Sequence, residues 1–350
     1  MTVQPTASAP ASAPAPRRIL LIKPSALGDV VTALPVLRGL RRAFPDAHIA
    51  WLAWTAYAPL IEGDGDLNEV ISIDRRAMRG FWRRPAAWRA LRTLRRQLRQ
   101  GRFDWAIDLQ GLFRSGWFAW SSRAALRAGF ADAREGARWF YNRPVAVSAR
   151  HTVDRNIELA RALGVDCRPE DMNLRVPPAG AAFAEESCRR HGLRRGEFLV
   201  CVPFTRWRTK NYPLRHWRSV AESLRGRTKL VLLGMAEDRA GAEAIAAGME
   251  GVVNLAGQTD IPQMVGLIAA SAGVLCGDSA AKFIAPAVGV PAVVVVGPTR
   301  VERTGPYLRG QAVVADVPCQ GCLKRSCRHV TCMESIEPLR VVEAAEEMLR

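Results

Sequence analysis

The 350-residue chain lacks any long hydrophobic run, which excludes one class of protein at the outset. No uninterrupted apolar stretch approaches the ~20 residues that a membrane-spanning helix requires. The N-terminal residues are mainly alanine, proline, serine and threonine without an apolar segment, so we expect 1–17 to be a disordered leader and not a signal peptide. The sequence therefore predicts a protein that is not integral to a membrane, and we expect it to be cytoplasmic.

A second absence concerns acidic residues, and it leaves one region with an unbalanced charge. The formal net charge is +17, and residues 75–102 contain eleven arginines and no aspartate or glutamate. Large apolar side chains recur there at helical spacing, at Trp88, Leu91, Leu94 and Leu98. The spacing predicts an amphipathic helix over 86–100 with an arginine-covered outer face. Such a face is either an ordinary solvated surface or a surface for a membrane or another phosphate-bearing partner, and the pattern leaves both open.

Length and alternation predict two α/β domains. The chain has an ordinary globular composition, with 49% hydrophobic and 24% charged residues. Short apolar runs that alternate with helical patterns predict parallel sheets. The predicted strands are 19–22, 48–54, 68–73, 104–109, 198–204, 229–234, 252–256, 274–278 and 292–297. The predicted organisation is a leader (1–17), an N-terminal Rossmann-like domain (18–178), a C-terminal Rossmann-like domain (179–332) and a helix (333–350) that packs back on the N-terminal domain. The boundary follows from the proline- and glycine-rich segment 176–180, interpreted as a hinge.

The turn after the first strand holds the first candidate site residue. Four aliphatic residues, Ile19 to Ile22, predict a strand buried on both faces, and Gly28 lets the chain turn into a helix. Ligands of open α/β sheets bind outside the carboxyl ends of the strands, where Asp29 is placed. An aspartate here also fits a helix start, where its charge complements free N–H groups. The residue type leaves both roles open.

Two segments of the first half resemble a known family. The segment Ser25-Ala26-Leu27-Gly28-Asp29-Val30 and the turn Asp108-Leu109-Gln110-Gly111-Leu112-Phe113-Arg114-Ser115 are similar to motifs of glycosyltransferase family 9, the ADP-heptose:lipopolysaccharide heptosyltransferases. The resemblance covers essentially residues 18–340. It implies a GT-B fold, in which the parallel sheets of two Rossmann-like domains face each other across a cleft. It also implies that Asp29 is the catalytic base, and it assigns an acceptor site to Ser25, Gly28, Gln110 and Arg114.

The resemblance continues through the second half and implies a nucleotide-sugar site. The loop 204–213 is similar to the family segment that meets the phosphates, which assigns Thr205 and Lys210, with Arg206 or Arg208 as possible partners in that role. The same resemblance assigns Glu237 to the ribose hydroxyls and Thr259 to the segment beside the adenine. The family pattern Asp-Ser/Thr-Gly-x-x-His is matched at Asp278 and Ser279, whereas Ala280 replaces the glycine and Phe283 replaces the histidine. These two departures leave the donor sugar open, and Lys282 could supply a cation nearby.

Four of the eight cysteines form a spaced cluster near the C-terminus. Cys319, Cys322, Cys327 and Cys332 follow the pattern C-x2-C-x4-C-x4-C. In a cytoplasmic protein this pattern fits a closed structural zinc or iron site, and equally a loop of reduced thiols. GT-B transfer itself requires no metal, so no cofactor is expected for catalysis.

The implied function is that of an inverting glycosyltransferase. It would move a heptose from ADP-heptose to the inner core of lipopolysaccharide, Kdo-lipid A or heptose, at the cytoplasmic face of the inner membrane, with peripheral contact to that surface. The alternatives within this fold are transfer of another nucleotide sugar to another cell-envelope glycan, or an inactive paralogue that only binds a nucleotide sugar. A nucleic-acid-binding protein would fit the charge and the cysteines but leaves two α/β domains without a role, so we expect no nucleic-acid partner.

Overall fold

The computed structural model describes residues 15–76 and 85–350, which form two compact units. The first unit comprises 15–25, 33–149 and 153–171, and the second comprises 26–32, 150–152 and 172–350. The predicted leader, up to residue 14, and Phe81 and Trp82 of the basic region lie outside the described residues.

Each unit is built on a parallel six-stranded sheet. The strands of the first are β1 (Arg18–Ile22), β2 (His48–Trp54), β3 (Glu69–Ile73), β4 (Trp105–Asp108), β5 (Leu126–Phe130) and β6 (Arg143–Val145). The strands of the second are β7 (Phe198–Val202), β8 (Lys229–Leu232), β9 (Val252–Asn254), β10 (Gly273–Gly277), β11 (Ala292–Val296) and β12 (Gly310–Val314). The spatial orders are β3-β2-β1-β4-β5-β6 and β12-β11-β10-β7-β8-β9, the doubly wound order in both cases.

Helices connect the strands in each unit. They are α1 (Leu27–Val31), α2 (Leu34–Ala43), α3 (Pro85–Gln100), α4 (Phe113–Ser122), α5 (Thr152–Arg161), α6 (Pro178–His191), α7 (Leu214–Leu224), α8 (Arg239–Ala246), α9 (Ile261–Ala270), α10 (Ala281–Ala287), α11 (Val301–Thr304), α12 (Thr331–Glu334) and α13 (Pro338–Met348). Within the described residues, no helix combines the length and the apolar character that crossing a bilayer would require.

The predicted strands are present. They could be recognised in the sequence because they are buried and therefore apolar. Residues 19–22 of β1 are wholly buried, because β1 lies between β2 and β4 and is covered on both faces. The amphipathic helix predicted over 86–100 is α3, whose Leu94 and Leu98 are buried in the core of the first unit. Each sheet reverses its strand order once, the first between β1 and β4 and the second between β7 and β10. The candidate sites lie at these two reversals.

The apolar spacing after Gly28 predicts one helix that begins at Asp29 and ends at Phe44, and this is wrong, because the structure forms two. The helix α1 ends at Val31, and α2 begins at Leu34 with Pro35 in its first turn. Inside a continuous helix, Pro35 would lack the N–H for its hydrogen bond and its ring would clash with the preceding turn. The chain therefore restarts, and proline occupies a position where no hydrogen bond is lost.

The segment 176–180, predicted as a hinge, contains the start of a helix. The first unit ends at Asp171, and Pro178 begins α6. A proline in the first helical turn is compatible with a helix start, so the composition of this segment did not distinguish a cap from a linker. Gly180 serves packing, because a Cβ there would collide with the backbone carbonyl of Pro262 in α9.

The C-terminal helix differs from its prediction in extent. Two helices, α12 and α13, replace the one predicted over 333–350. The helix α13 contacts α7, β11 and β12 of the second unit, and its packing on the N-terminal domain stays a prediction. Its buried stripe explains this position, since these side chains belong to the core of that unit: Val341, Val342, Ala344 and Ala345.

Candidate active site

The predicted site residues of the second unit lie at one edge of its sheet. Because β7, β8, β9 and β10 are parallel neighbours, their carboxyl ends meet at the same edge. Thr205 and Lys210 follow β7, and Asp278 and Ser279 follow β10, so they flank the point where the winding reverses. This is the position at which open α/β sheets bind ligands.

Asp278 is the centre of a buried polar network. Its Oδ2 atom lies 2.7 Å from Lys210 Nζ and accepts a hydrogen bond from Thr299 Oγ1 at 2.6 Å. Its Oδ1 atom is paired with Lys282 Nζ, which also donates to the carbonyl of Thr304. Burial alone would raise the pKa of Asp278, but the charges of Lys282 and Lys210 and their hydrogen bonds outweigh it and lower the pKa to about 2. Asp278 is therefore a fixed anion that holds two lysines in place.

The two lysines differ in their access to solvent. The side chain of Lys210 is 16% exposed and that of Lys282 only 5%. Lys210 also lies over the ring of Trp207, with Nζ 4.5 Å from the ring centroid. Lys210 is thus the cation that an external ligand can reach. Lys282 is the buried cation that pairs with the Asp278 carboxylate.

The hydroxyl groups of Thr205 and Ser279 differ in their hydrogen bonding. Thr205 Oγ1 donates to Asn211 Oδ1 at 2.7 Å, so its hydrogen is already used. Ser279 Oγ is buried beside the Cys276 thiol and has no hydrogen bond to a nitrogen or oxygen atom within the described part of the chain. A buried hydroxyl without such a partner is costly, so Ser279 is available to a polar ligand.

Glu237 and Thr259 lie further along the same edge. Glu237 is exposed in the short 3₁₀-helix after β8, and Thr259 is half-buried after β9. Gly257 N–H donates to the carbonyl of Gly234 at 2.9 Å, which joins the two turns that carry them. The candidate nucleotide residues therefore form a continuous row along the carboxyl ends of four strands.

Asp29 lies in α1, in the segment that groups with the second unit. This helix packs on α10 through Gly28, where a Cβ would lie 3.3 Å from Ala280 Cα and 3.2 Å from Phe283 Cδ2. A side chain at position 28 would push these neighbours away by a few tenths of an ångström. Glycine is thus needed for close approach, and the positions that depart from the family pattern, Ala280 and Phe283, are the ones that α1 touches.

The Asp29 carboxylate has a structural partner as well. Its Oδ2 atom accepts a hydrogen bond at 2.8 Å from the N–H of Ala26, the residue that caps α1. The helix-start role that the sequence left open is therefore present. A base role is compatible with it, because a carboxylate has further lone pairs on both oxygen atoms.

The acceptor residues predicted in the first unit lie at the ends of β1 and β4. Ser25 N–H approaches Gln110 Oε1 at 3.4 Å, so these two loops meet. The Arg114 guanidinium lies 5.5 Å from the ring centroid of Trp54, at the end of β2. The structure thus brings Ser25, Gln110 and Arg114 to one edge of the first sheet, whereas Gly28 belongs to the segment described with the second unit.

Buried Asp108 shapes the acceptor turn. It accepts hydrogen bonds from the N–H groups of Gln110 (2.8 Å) and Gly111 (3.2 Å) and from Tyr141 Oη (2.6 Å). Burial raises the pKa of Asp108, and burial together with the nearby Asp108 charge raises the pKa of Tyr141. The buried Asp108 side chain therefore fixes the conformation of the turn that carries Gln110.

The four clustered cysteines lie around a common cavity, but not as a formed metal site. A cavity of about 50 Å³ is lined by all four of them, Cys319, Cys322, Cys327 and Cys332. Nevertheless, within residues 15–76 and 85–350 no group of three or more histidine, cysteine, aspartate or glutamate side chains is arranged to hold a metal ion. The donor set suits zinc or iron, whereas the arrangement of the sulfur atoms does not.

Sequence reasoning missed several residues that complete these sites. Thr299 and Asn211 fix Asp278 and Thr205, and Tyr141 fixes Asp108. Thr299 follows β11 directly, and the position of polar residues after a strand is a signal that could have identified it. Tyr141 is 33 residues from Asp108 in the chain, and no local pattern connects them.

Comparison with known proteins decides the family. The family model described as "Glycosyltransferase family 9 (heptosyltransferase)" matches residues 91–332, more than half of the chain. The chain belongs to glycosyltransferase family 9. It is therefore a glycosyltransferase, and the family predicted from the motifs along both halves of the chain is confirmed.

Relatives within family 9 match over nearly the whole chain. "Lipopolysaccharide heptosyltransferase 1" of Pseudomonas aeruginosa is 29% identical over 95% of this chain and 98% of its own. "Lipopolysaccharide heptosyltransferase 2" of Escherichia coli K12 is 28% identical over 85% of this chain and 87% of its own. Because the identities to heptosyltransferase 1 and heptosyltransferase 2 are nearly equal, they do not assign this chain to either type.

A solved family 9 structure confirms the fold. The structure of "E. coli heptosyltransferase WaaC with ADP" superposes with a TM-score of 0.77 at 23% identity, covering 95% of this chain and 99% of that chain. The predicted GT-B class, with two Rossmann-like domains, is confirmed.

Proposed function

We propose that this family 9 enzyme is an inverting heptosyltransferase that uses ADP-heptose. The observation that carries the proposal is the buried Asp278 network, which holds Lys210 at the carboxyl ends of β7 and β10, where the Ser279 hydroxyl also lies without a hydrogen bond to a nitrogen or oxygen atom of the described residues. A fixed cation and a nearby hydroxyl suit the diphosphate of a nucleotide sugar. Glu237 is assigned to the ribose hydroxyls, and Thr259 to the segment beside the base. Relatives named heptosyltransferases and a neighbour solved with ADP support this donor.

The proposed reaction is one displacement at the anomeric carbon. The acceptor hydroxyl oxygen forms a bond to that carbon from the face opposite the nucleotide, while the bond from the carbon to the diphosphate oxygen breaks and ADP departs. The Asp29 carboxylate takes the hydroxyl proton, and Lys210 offsets the charge that develops on the diphosphate. Ala280 and Phe283 depart from the family pattern beside Asp278, so we assign the donor preference to these two positions.

The proposed acceptor is an anionic glycolipid, the inner core of lipopolysaccharide. Ser25, Gly28 and Gln110 are assigned to its hydroxyl groups, and Arg114 to a carboxylate or phosphate. The relatives named for lipopolysaccharide support this class of acceptor. We place the reaction at the cytoplasmic face of the inner membrane, with peripheral contact to that surface. Transfer of a different sugar to another cell-envelope glycan is the second candidate, because the residues at 280 and 283 depart from the family pattern.

Thermal unfolding with a panel of ADP- and UDP-sugars tests the donor. At a ligand concentration about 100 times Kd, ADP-heptose should stabilise the protein by about 2.7 kcal/mol and raise Tm by roughly 5–10 °C. Lys210→Met should abolish most of this shift. Lys229→Met, which removes an exposed lysine at the start of β8, serves as the matched control. A larger shift with a UDP-sugar, together with its turnover, would contradict the proposed donor.

We also propose a structural metal at the four cysteines, from their spacing and their common cavity. The sulfur atoms would have to move together on binding. We expect about one zinc or iron atom per chain purified under reducing conditions, and its loss in a Cys319→Ser/Cys322→Ser variant, both measured by elemental analysis. Cys188→Ser, outside the cluster, is the control. A parent protein without metal and with four titratable thiols at these positions would contradict the proposal.

A further inference from the structure

One face of the first unit concentrates arginine side chains around a groove. The groove, of about 330 Å³, lies between α3, the end of α4 and β5, and it is lined by Arg95, Arg99, Trp120, Arg123 and Arg127. A second groove, of about 470 Å³, shares two of these arginines and adds Arg92, Arg96, Gln100 and Arg102. We call the residues that line these two grooves the arginine surface.

The charge of the arginine surface is not balanced from within. Residues 85–103 and 109–131 contain no aspartate or glutamate, and within the described ranges none of these arginines forms an ion pair. The Arg127 guanidinium donates hydrogen bonds to the carbonyls of Phe140 and Ala124, which fix its position at the edge of the groove. The Nε atoms of Arg95 and Arg99 are buried without a hydrogen-bond partner. Guanidinium groups gathered without counter-charges repel one another, so this arrangement favours an anionic partner.

Exposed aromatic rings adjoin the groove. Trp120 is 45% exposed, and the Arg95 guanidinium lies 5.4 Å from its ring centroid. The ring of Phe140 lies between those of Trp120 and Phe113, which is 54% exposed. Trp139, the residue immediately before Phe140, is 84% exposed. Tryptophan beside arginine is the composition of protein surfaces that rest at the boundary between lipid headgroups and acyl chains.

We propose that the arginine surface docks on an anionic phospholipid bilayer, with headgroup phosphates seated between Arg95, Arg99 and Arg123. Guanidinium groups bind phosphate oxygens by paired hydrogen bonds. Trp120 and Trp139 enter the interface beside the phosphates. This docking rests on the proposed function, since a glycolipid acceptor lies in such a bilayer. The residues of the arginine surface have no assigned part in the sugar transfer itself.

Vesicle sedimentation of the full chain tests this docking. The parent should bind vesicles of 70% phosphatidylcholine and 30% phosphatidylglycerol and bind pure phosphatidylcholine vesicles far less. Each arginine near such a surface contributes roughly fivefold in partitioning. Arg95→Gln/Arg99→Gln/Arg123→Gln should therefore lower it by about 100-fold. Arg194→Gln/Arg195→Gln/Arg225→Gln removes the same charge from exposed positions of the second unit and should lower it by less than threefold.

A single substitution avoids any effect on folding. Trp139 is largely exposed, so Trp139→Ser should leave Tm unchanged and lower binding to the anionic vesicles several-fold. Equal binding of the parent to neutral and anionic vesicles, or equal losses in the two triple variants, would overturn the proposal. Binding of a homopolymeric RNA with no binding of vesicles would also overturn it and would assign the surface to nucleic acid.

Docking and transfer can fail separately. With a water-soluble acceptor fragment that needs no bilayer, the variant altered at Arg95, Arg99 and Arg123 should turn over like the parent. If the parent binds anionic vesicles but transfers no sugar to any acceptor, the proposed function fails and the docking surface stands. If the parent transfers sugar and the triple variant still binds vesicles fully, the docking surface fails and the proposed function stands.

Discussion

Replacing Asp29 with asparagine is expected to lower kcat by at least about 100-fold while Tm and nucleotide-sugar binding stay close to those of the parent. A positioned general base contributes about 10²–10⁴-fold, and an amide cannot take the acceptor proton. Asparagine nevertheless keeps an oxygen that can accept the hydrogen bond from Ala26 N–H, so α1 stays capped. Turnover, Tm and nucleotide-sugar affinity of the same preparation are the measurements.

Asp29→Ala separates the two roles of this carboxylate. If Asp29 serves only as a cap, asparagine should behave like the parent in every assay and alanine alone should lose stability, by about 1 kcal/mol. If Asp29 is the base, both variants lose turnover and only alanine loses stability as well. Turnover by Asp29→Asn at the rate of the parent would remove Asp29 from the chemistry.

Much of the fold could be predicted because buried parallel strands are conspicuous in a sequence. The strand His48–Trp54 was predicted with its observed limits, since a strand covered on both faces is apolar throughout. The strands β5, β6 and β12 were not predicted. They lie toward the edges of the two sheets, where β6 is short and β12 is only partly buried, so their apolar patterns are weak.

Proline and glycine were the least reliable guides, because they mark helix starts and linkers alike. Pro178 opens a helix where a hinge was predicted, and Pro35 divides a helix that was predicted to be continuous. In both cases the deciding interaction is a backbone hydrogen bond that is made or lost in the first turn. Composition alone does not contain that information.

The positions of the candidate site residues could be predicted, whereas their partners could not. The resemblance assigned both Lys210 and Asp278 to the nucleotide-sugar site, each of them follows a strand of the parallel sheet, and their side chains lie in contact. The second lysine on Asp278 and the hydrogen bond from Thr299 depend on how distant segments pack. Such contacts have no local pattern, and they determine the charge state of the site.

Replacing Asp278 with asparagine is expected to cost about 3–5 kcal/mol of stability at neutral pH and to lower Tm by about 10 °C. The variant leaves Lys210 and Lys282 close together without their shared anion, and Lys282 is almost wholly buried. Urea unfolding of both proteins at pH 7 measures the difference. Asp46→Asn, at an exposed position, is the control and should stay within about 0.5 kcal/mol of the parent. Adding Lys282→Met to the variant should recover part of the loss, because it removes one unpaired buried charge.

Acid should narrow the difference between parent and Asp278→Asn. The pKa of Asp278 is about 2 in the folded protein, against about 3.9 when unfolded. A lowered pKa contributes stability that is complete above the unfolded value and is lost as the pH falls through the folded one. The parent should therefore lose about 1 kcal/mol relative to the variant between pH 6 and pH 3, measured by urea unfolding at each pH. A difference that is independent of pH over this window would mean that the carboxylate is not the anion that holds the lysines.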